Sequence, residues 1–386
     1  MRFTRIAFAV ALALVCGSGC GDEPADRSAT PTSQAVVADR GELVTRGDPE
    51  PNDDGSTRTV VTYRSTSGID GTATEVSGTI FVPAGPPPAG GWPIVTVGHG
   101  TTGVEDDCAP SEYPDLLGNL RLVTPLLQRG YVVAVSDLQG LGTPGPHPYL
   151  EPTSAAYNLI DAVRAARNLV PDTSDRWAAL GLSQGGHAAW AAAEKVDQYG
   201  QDLDFVGSAA LSPAADMSAV VGADGRVQLA TAQQVFLPLL LAGLAVLHPE
   251  LNESDYVRGA LVSDAELFLS CPEDYASKRL SEAFSVRPDD TQPVSREAAD
   301  RMRDWLKGIA LPQRQAAGPM LVVTGELDPV IRASWTAAAV ERACALGDVI
   351  ALHERPGERH GDSASIPEAV DWIADRFAGL AAPSTC

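Results

Sequence analysis

"AALGLSQGGHAAW", residues 178–190, decides how this chain is read. At its centre, Gly181-Leu182-Ser183-Gln184-Gly185 spells G-x-S-x-G. With ordinary glycine and serine usage that pattern arises by chance in roughly 0.1 to 0.2 of chains this long, so its surroundings must decide. The apolar run "WAALGLS" (177–183) before it reads as a strand, and "QGGHAAWAAAE" after it has a helical period. A serine on so sharp a strand-to-helix turn has its hydroxyl raised above the sheet. Side chains at 181 and 185 would clash in that turn, which accounts for both glycines. The helix start offers unpaired N–H groups, that of Gln184 among them, to a developing oxyanion.

Working outward, the same alternation recurs. Seven more short β-rich runs stand at 60–64, 77–83, 93–99, 131–137, 205–212, 320–326 and 349–354. Most of the later ones are continuously apolar, as strands buried on both faces should be. Helical patterns such as "SAAYNLIDAVRAARNLV" (154–170) separate them, while the earliest runs sit close together, which suits an antiparallel start. This predicts an α/β fold: a mostly parallel eight-stranded sheet flanked by helices, with the core in two parts, 56–217 and 318–386. Residues 218–317 contain no good strand run and read as a helical cap over the carboxyl edge of the sheet, where open α/β sheets place ligands. Their most apolar stretch, "VFLPLLLAGLAVL" (235–247), is too short to span a bilayer.

A serine hydroxyl is a weak nucleophile without a base, and the base needs an orienting acid. On this kind of sheet the chain order is Ser, then Asp or Glu, then His. His360, in the polar loop "GERHGDSAS" (357–365), is the candidate base; His353 lies within a strand and is read as packing or facing out. Asp328 in "GELDPV" is the candidate acid, with Glu326 as the alternative. A second oxyanion N–H is expected from Thr101 or Thr102 in His99-Gly100-Thr101-Thr102-Gly103, with Thr101 favoured and His99 structural. Asp137 reads as a loop-bracing carboxylate, and His147 as either pocket lining or surface.

The chain has 386 residues, 44% of them hydrophobic, and a formal net charge of −22. Such an acidic protein has no electrostatic affinity for nucleic acid or anionic membranes. Residues 1–20 read as a signal peptide: Arg2 and Arg5, the apolar run "IAFAVALALV", then "CGSGC". Ser18-Gly19-Cys20 matches the end of a bacterial lipobox, although Gly17 stands where an aliphatic is usual; acylated Cys20 would tether the chain to a membrane. Residues 21–55 then read as a disordered tether. Beyond the leader, Cys108, Cys271, Cys344 and Cys386 make an even set in an exported chain, hence two disulfides. Of three pairings, Cys108–Cys271 with Cys344–Cys386 is favoured, the latter pinning the last residue. No cysteine has zinc-ligand spacing to a histidine, and no metal or cofactor is expected.

Four motifs in order, "HGTTGVEDDCAPS" (99–111), "DLQGLGTPGPHPYL" (137–150), "GLSQGGHAAW" (181–190) and "TGELDPVI" (324–331), carry a family resemblance. Over roughly residues 60–375 the chain resembles the secretory lipase family of α/β-hydrolases. The resemblance implies a Ser-His-Asp triad mapping onto Ser183, His360 and Asp328, a helical cap, and hydrolysis of acyl esters. It also implies that Cys108 pairs with a cap cysteine, which supports Cys108–Cys271. The family commonly carries Tyr-Glu where this chain has Leu138-Gln139, a departure that bears on pocket polarity. The reading is therefore a secreted serine hydrolase of lipid-like esters. Its alternatives are a short-chain carboxylesterase or an acyltransferase on the same site, then a serine peptidase or a non-catalytic binding module.

Overall fold

The computed structural model describes residues 39–271, 275–362 and 364–386. The signal peptide, Cys20 and the first part of the expected tether lie outside the described residues.

Each of the eight expected strands is present, as β3 (Thr57–Thr66), β4 (Ala73–Val82), β5 (Trp92–Gly98), β6 (Val132–Ser136), β7 (Thr173–Leu182), β8 (Asp204–Leu211), β9 (Met320–Gly325) and β10 (Ile350–Arg355). Two further short strands, β1 (Leu43–Arg46) and β2 (Glu50–Pro51), make ten among the described residues. Both pair antiparallel with β3, so residues 43–51 belong to the sheet and not to a tether extending to residue 55. Their composition is polar because they form an exposed edge: three of the four β1 residues and both β2 residues face solvent. The main path runs β1-β3-β4-β6-β5-β7-β8-β9-β10. β4 pairs antiparallel with β3 and β6, while everything from β6 to β10 is parallel. The sheet is thus mixed, with its antiparallel part confined to one side.

Helices cover both faces. α2 (Pro152–Leu169), α3 (Gln184–Tyr199) and α6 (Ala333–Leu346) pack one face around Trp177, Trp190, Leu159 and Ile160. Ala188, Ala189 and Ala191–Ala193 let α3 approach closely, and each is essentially excluded from solvent. On the other face, α1 (Leu120–Gln128) and α7 (Ser365–Phe377) contribute Leu122, Leu126, Ile366 and Ile373.

Between β8 and β9 the chain forms α4 (Leu237–Leu247), α5 (Arg296–Gly308) and several shorter helices. They share a separate apolar cluster that includes Leu237, Leu240, Leu244, Phe268, Met302 and Leu306, and also Tyr149, Leu150 and Ile331 from the loops of the sheet. Pro238 opens α4 rather than interrupting it, since the first turn needs no N–H donor there. Among the described residues, no helix is long and apolar enough to cross a membrane.

Two disulfides close the structure, Cys108–Cys271 and Cys344–Cys386. The first joins the loop after β5 to the inserted segment. The second fastens the carboxyl end to α6, beside Thr385, whose N–H donates to the carbonyl of Ile350 on β10 (2.7 Å).

Candidate active site

Ser183 follows β7 directly and caps the amino end of α3, with φ 59° and ψ −113°. For a residue with a Cβ this is a strained conformation, costing roughly 1–3 kcal/mol. The surrounding backbone holds it there. The N–H of Ser183 donates to the Leu211 carbonyl (2.8 Å), and its own carbonyl accepts from His187 (3.0 Å) and Ala214 (3.2 Å). The two motif glycines have distinct steric reasons. A Cβ on Gly181 would stand 1.9 Å from the Gly185 carbonyl oxygen, and one on Gly185 would stand 1.9 Å from that of Gly98. β5, β7 and α3 therefore meet backbone to backbone beneath the serine.

Asp328 leaves β9 and His360 leaves β10, so both stand on the same carboxyl edge of the sheet as Ser183. The Asp328 carboxylate is buried. Its Oδ1 accepts from the N–H groups of Val330 and Ile331, 2.8 Å each, and its Oδ2 lies 2.7 Å from His360 Nδ1. A carboxylate at Nδ1 fixes the tautomer that donates there and leaves the other ring nitrogen with its lone pair. The loop bearing His360 rests on the nucleophile turn, because a Cβ on the adjacent Gly361 would meet the Leu182 side chain at 3.0 Å. It is also tied to the loop bearing Asp328 through Leu327 N–H to the Glu358 carbonyl, 2.9 Å. Among the described residues no hydrogen bond joins the Ser183 hydroxyl to the His360 ring; such contacts commonly tighten only with substrate bound.

Glu326 is an exposed turn carboxylate accepting from the Gly357 N–H (2.9 Å), and His353 pairs with Glu368. Asp137 is fully buried and accepts from Ser77, from the Ser111 N–H and from the Ser111 hydroxyl, which makes it a loop brace. His99 is buried against the carbonyls of Gly100 and Asp137. Gln184 opens α3, so its N–H has no acceptor within the helix. In the loop after β5, the N–H of Gly100 is taken by Asn119 and that of Val104 by Leu269. Thr101 N–H has no acceptor among the described residues, and the Thr102 hydroxyl is turned inward to the Cys108 carbonyl. His147 is buried and not a surface residue, bonded to the Gln139 carbonyl and the Gln184 amide. Asn119 and Tyr149, which bonds the Thr101 hydroxyl at 2.8 Å, had no signal in the sequence, since both act through contacts between distant loops.

An apolar cavity of ≈ 20 Å³ touches Ser183 and is walled by Leu150, Met217, Phe236, Leu240 and Ile331, among others. It has room for about one water molecule. A larger open cleft, ≈ 850 Å³, lies at the amino end of β7, the opposite edge from Ser183. There Arg164 is already paired with Asp161 and Asp202.

Residues 117–384 match the secretory lipase family. The chain belongs to that family. A probable inactive lipase of Mycobacterium tuberculosis is 27% identical over 346 residues, covering 84% of this chain and 74% of that protein. Lipase A of Arthroderma benhamiae is 27% identical over 286 residues, covering 69% of this chain and 57% of its own length. Among solved structures, the closed state of Candida antarctica lipase A superposes with a TM-score of 0.70 at 17% identity, covering 91% of this chain and 85% of that one. The rice cell wall degrading esterase LipA of Xanthomonas oryzae gives 0.68 at 20% identity, with 88% and 96% covered. At these identities the structural likeness speaks to the fold of this secretory lipase relative. Its sheet of the α/β-hydrolase type is thereby accounted for.

Proposed function

We propose that this chain is a serine hydrolase of carboxylic esters, with Ser183 as nucleophile, His360 as base and Asp328 as its orienting acid. The observation that carries the reading is the Asp328–His360 pair, standing at the same sheet edge as a serine held at φ 59°. Ser183 Oγ attacks the ester carbonyl while His360 takes its proton; the N–H groups of Gln184 and Thr101 hold the oxyanion. The imidazolium then protonates the leaving alcohol, and water repeats the sequence to release the acid. One relative bears the name of an inactive lipase. In this chain all three side chains are present, and two of them are already bonded.

The apolar walls of the cavity suit an acyl chain. Its small volume favours a second reading, a preference for short acyl groups, unless Phe236 and Leu240 of the inserted segment swing aside. Hydrolysis of p-nitrophenyl esters from acetyl to palmitoyl separates the two. The expected result for Ser183→Ala is a loss of at least about 10³-fold in kcat on every ester. Equal rates in wild type and variant would sink the assignment.

The two disulfides and the family fit an extracytoplasmic protein. We assign the leader ahead of Cys20 as its export signal and Cys20 as the acylated first residue of the mature chain. Mass spectrometry of the mature amino terminus tests this: a thioether-linked diacylglycerol is expected, and an unmodified end would refute it.

A further inference from the structure

We propose that residues 147–149 form a brace holding both oxyanion donors, with His147 and Tyr149 as positioning residues. The inference deepens the ester-hydrolase reading and rests on it. One arm reaches Gln184. His147 Nδ1–H donates to the Gln139 carbonyl (2.7 Å), a group that can only accept, so Nε2 carries the lone pair. The Gln184 side-chain amide donates to that lone pair at 2.8 Å. The other arm reaches Thr101, through a 2.8 Å hydrogen bond between the Tyr149 and Thr101 hydroxyls. A single short segment thus grips the side chains of two residues, one at the start of α3 and one in the loop after β5, whose N–H groups must converge on one oxygen.

The segment is itself held. Tyr149 N–H donates to the His147 carbonyl and Glu151 N–H to the Pro148 carbonyl, 2.9 Å each. The next residue, Leu150, sits at φ 60°. From one side the backbone of Gly140 presses on it, since a Cβ there would be 2.4 Å from the Pro146 carbonyl carbon. From the other, Gly243 of α4 abuts Tyr149, where a Cβ would be 2.5 Å from the Tyr149 carbonyl oxygen. Burial pushes the His147 imidazole down to about 4, with His99 the nearby titratable group adding to the effect. The ring therefore stays neutral at pH 7 and keeps the lone pair that the Gln184 amide needs. Oxyanion donors contribute only if preorganised; removing one costs on the order of 10²–10³ in rate, and misplacing one costs part of that.

The test measures kcat and KM on p-nitrophenyl butyrate, per active site titrated with a fluorophosphonate, together with inhibition by butylboronic acid. His147→Phe is expected to lower kcat by on the order of 10–100-fold with KM within about two-fold, and to weaken the boronic acid by the same factor. His147→Gln, which keeps an acceptor near the Gln184 amide, should recover most of that loss. Thr101→Val and Tyr149→Phe should each lower kcat, and their double variant should be no worse than the poorer single. Wild-type kcat per titrated site in His147→Phe, or full additivity in the Thr101/Tyr149 cycle, would overturn the brace. Activity surviving Ser183→Ala would bring down the parent reading and the brace with it, a result distinct from either.

Discussion

At Ser183 the backbone and the chemistry make opposite demands. A residue at φ 59° and ψ −113° is best served by glycine, yet the proposed ester cleavage needs the hydroxyl. Ser183→Gly should therefore raise unfolding stability by about 1 kcal/mol while abolishing esterase activity, whereas Ser183→Ala, which keeps the Cβ, should leave stability nearly unchanged. Urea midpoints of the three proteins decide this; a destabilised Ser183→Gly would show that the turn is unstrained. Asp328 offers a second case. Its Oδ1 is spent on the Val330 and Ile331 N–H groups, so Asp328→Asn must turn an NH₂ toward either those donors or His360. The first loses the backbone bonds; the second makes Nδ1 the acceptor and puts the proton on the other ring nitrogen, where it disables the base. The expected loss in kcat is on the order of 10³–10⁴, with KM little changed; a loss under ten-fold would remove Asp328 from the mechanism.

Between elements, two contacts matter most. Gly185 lets α3 lie on β5, and Gly185→Ala puts a methyl carbon 1.9 Å from the Gly98 oxygen. No rotamer relieves a backbone clash, so a loss of more than about 3 kcal/mol is expected, read as a collapsed urea midpoint or insoluble expression. Normal stability in Gly185→Ala would mean that the crossing is looser than described. Further along α3, Glu194 takes the Gln313 N–H (3.0 Å), binding the helix to the segment that returns from the insertion. Burial pushes its carboxyl up to about 7, and the charge of Asp348 adds to the rise. Because the folded state holds this proton more tightly than the unfolded state, its contribution is greatest below about pH 4.5. It declines by up to about 3 kcal/mol as pH climbs to 7. Glu194→Gln should flatten that decline and be the more stable protein at pH 8, as urea unfolding at pH 5 and 8 would show. Identical pH slopes in the two proteins would rule the effect out.

Across the whole molecule, the inserted segment is held to the sheet by its own apolar cluster, by Tyr149 and by the Cys108–Cys271 bond, which spans 163 residues. Closing so long a loop restricts the unfolded chain strongly, so Cys271→Ser should cost roughly 2–5 kcal/mol. The same change frees one edge of the insertion, and limited proteolysis should then cut within 218–317 before the core. Cleavage at unchanged rate and site would show that apolar packing alone secures the insertion.

Much of this was legible in the residues. The later apolar runs, separated by helical periods, determined the parallel part of the α/β core, because strands buried on both faces have little choice of composition. The order of Ser183, Asp328 and His360 singled out the candidate site, since each stands at a strand end where chemistry is usually placed. The edge strands β1 and β2 were hidden, as exposed strands with polar faces look like linker. Neither could the sequence reveal the grip of His147 on Gln184 or of Tyr149 on Thr101. Those contacts join residues 37 and 48 positions apart, and no periodicity records which segments meet above a sheet. Composition and period determined the elements, which depend on near neighbours; the tertiary structure alone decided the small cavity at Ser183 and the contacts of His147 and Tyr149, which depend on where those elements converge.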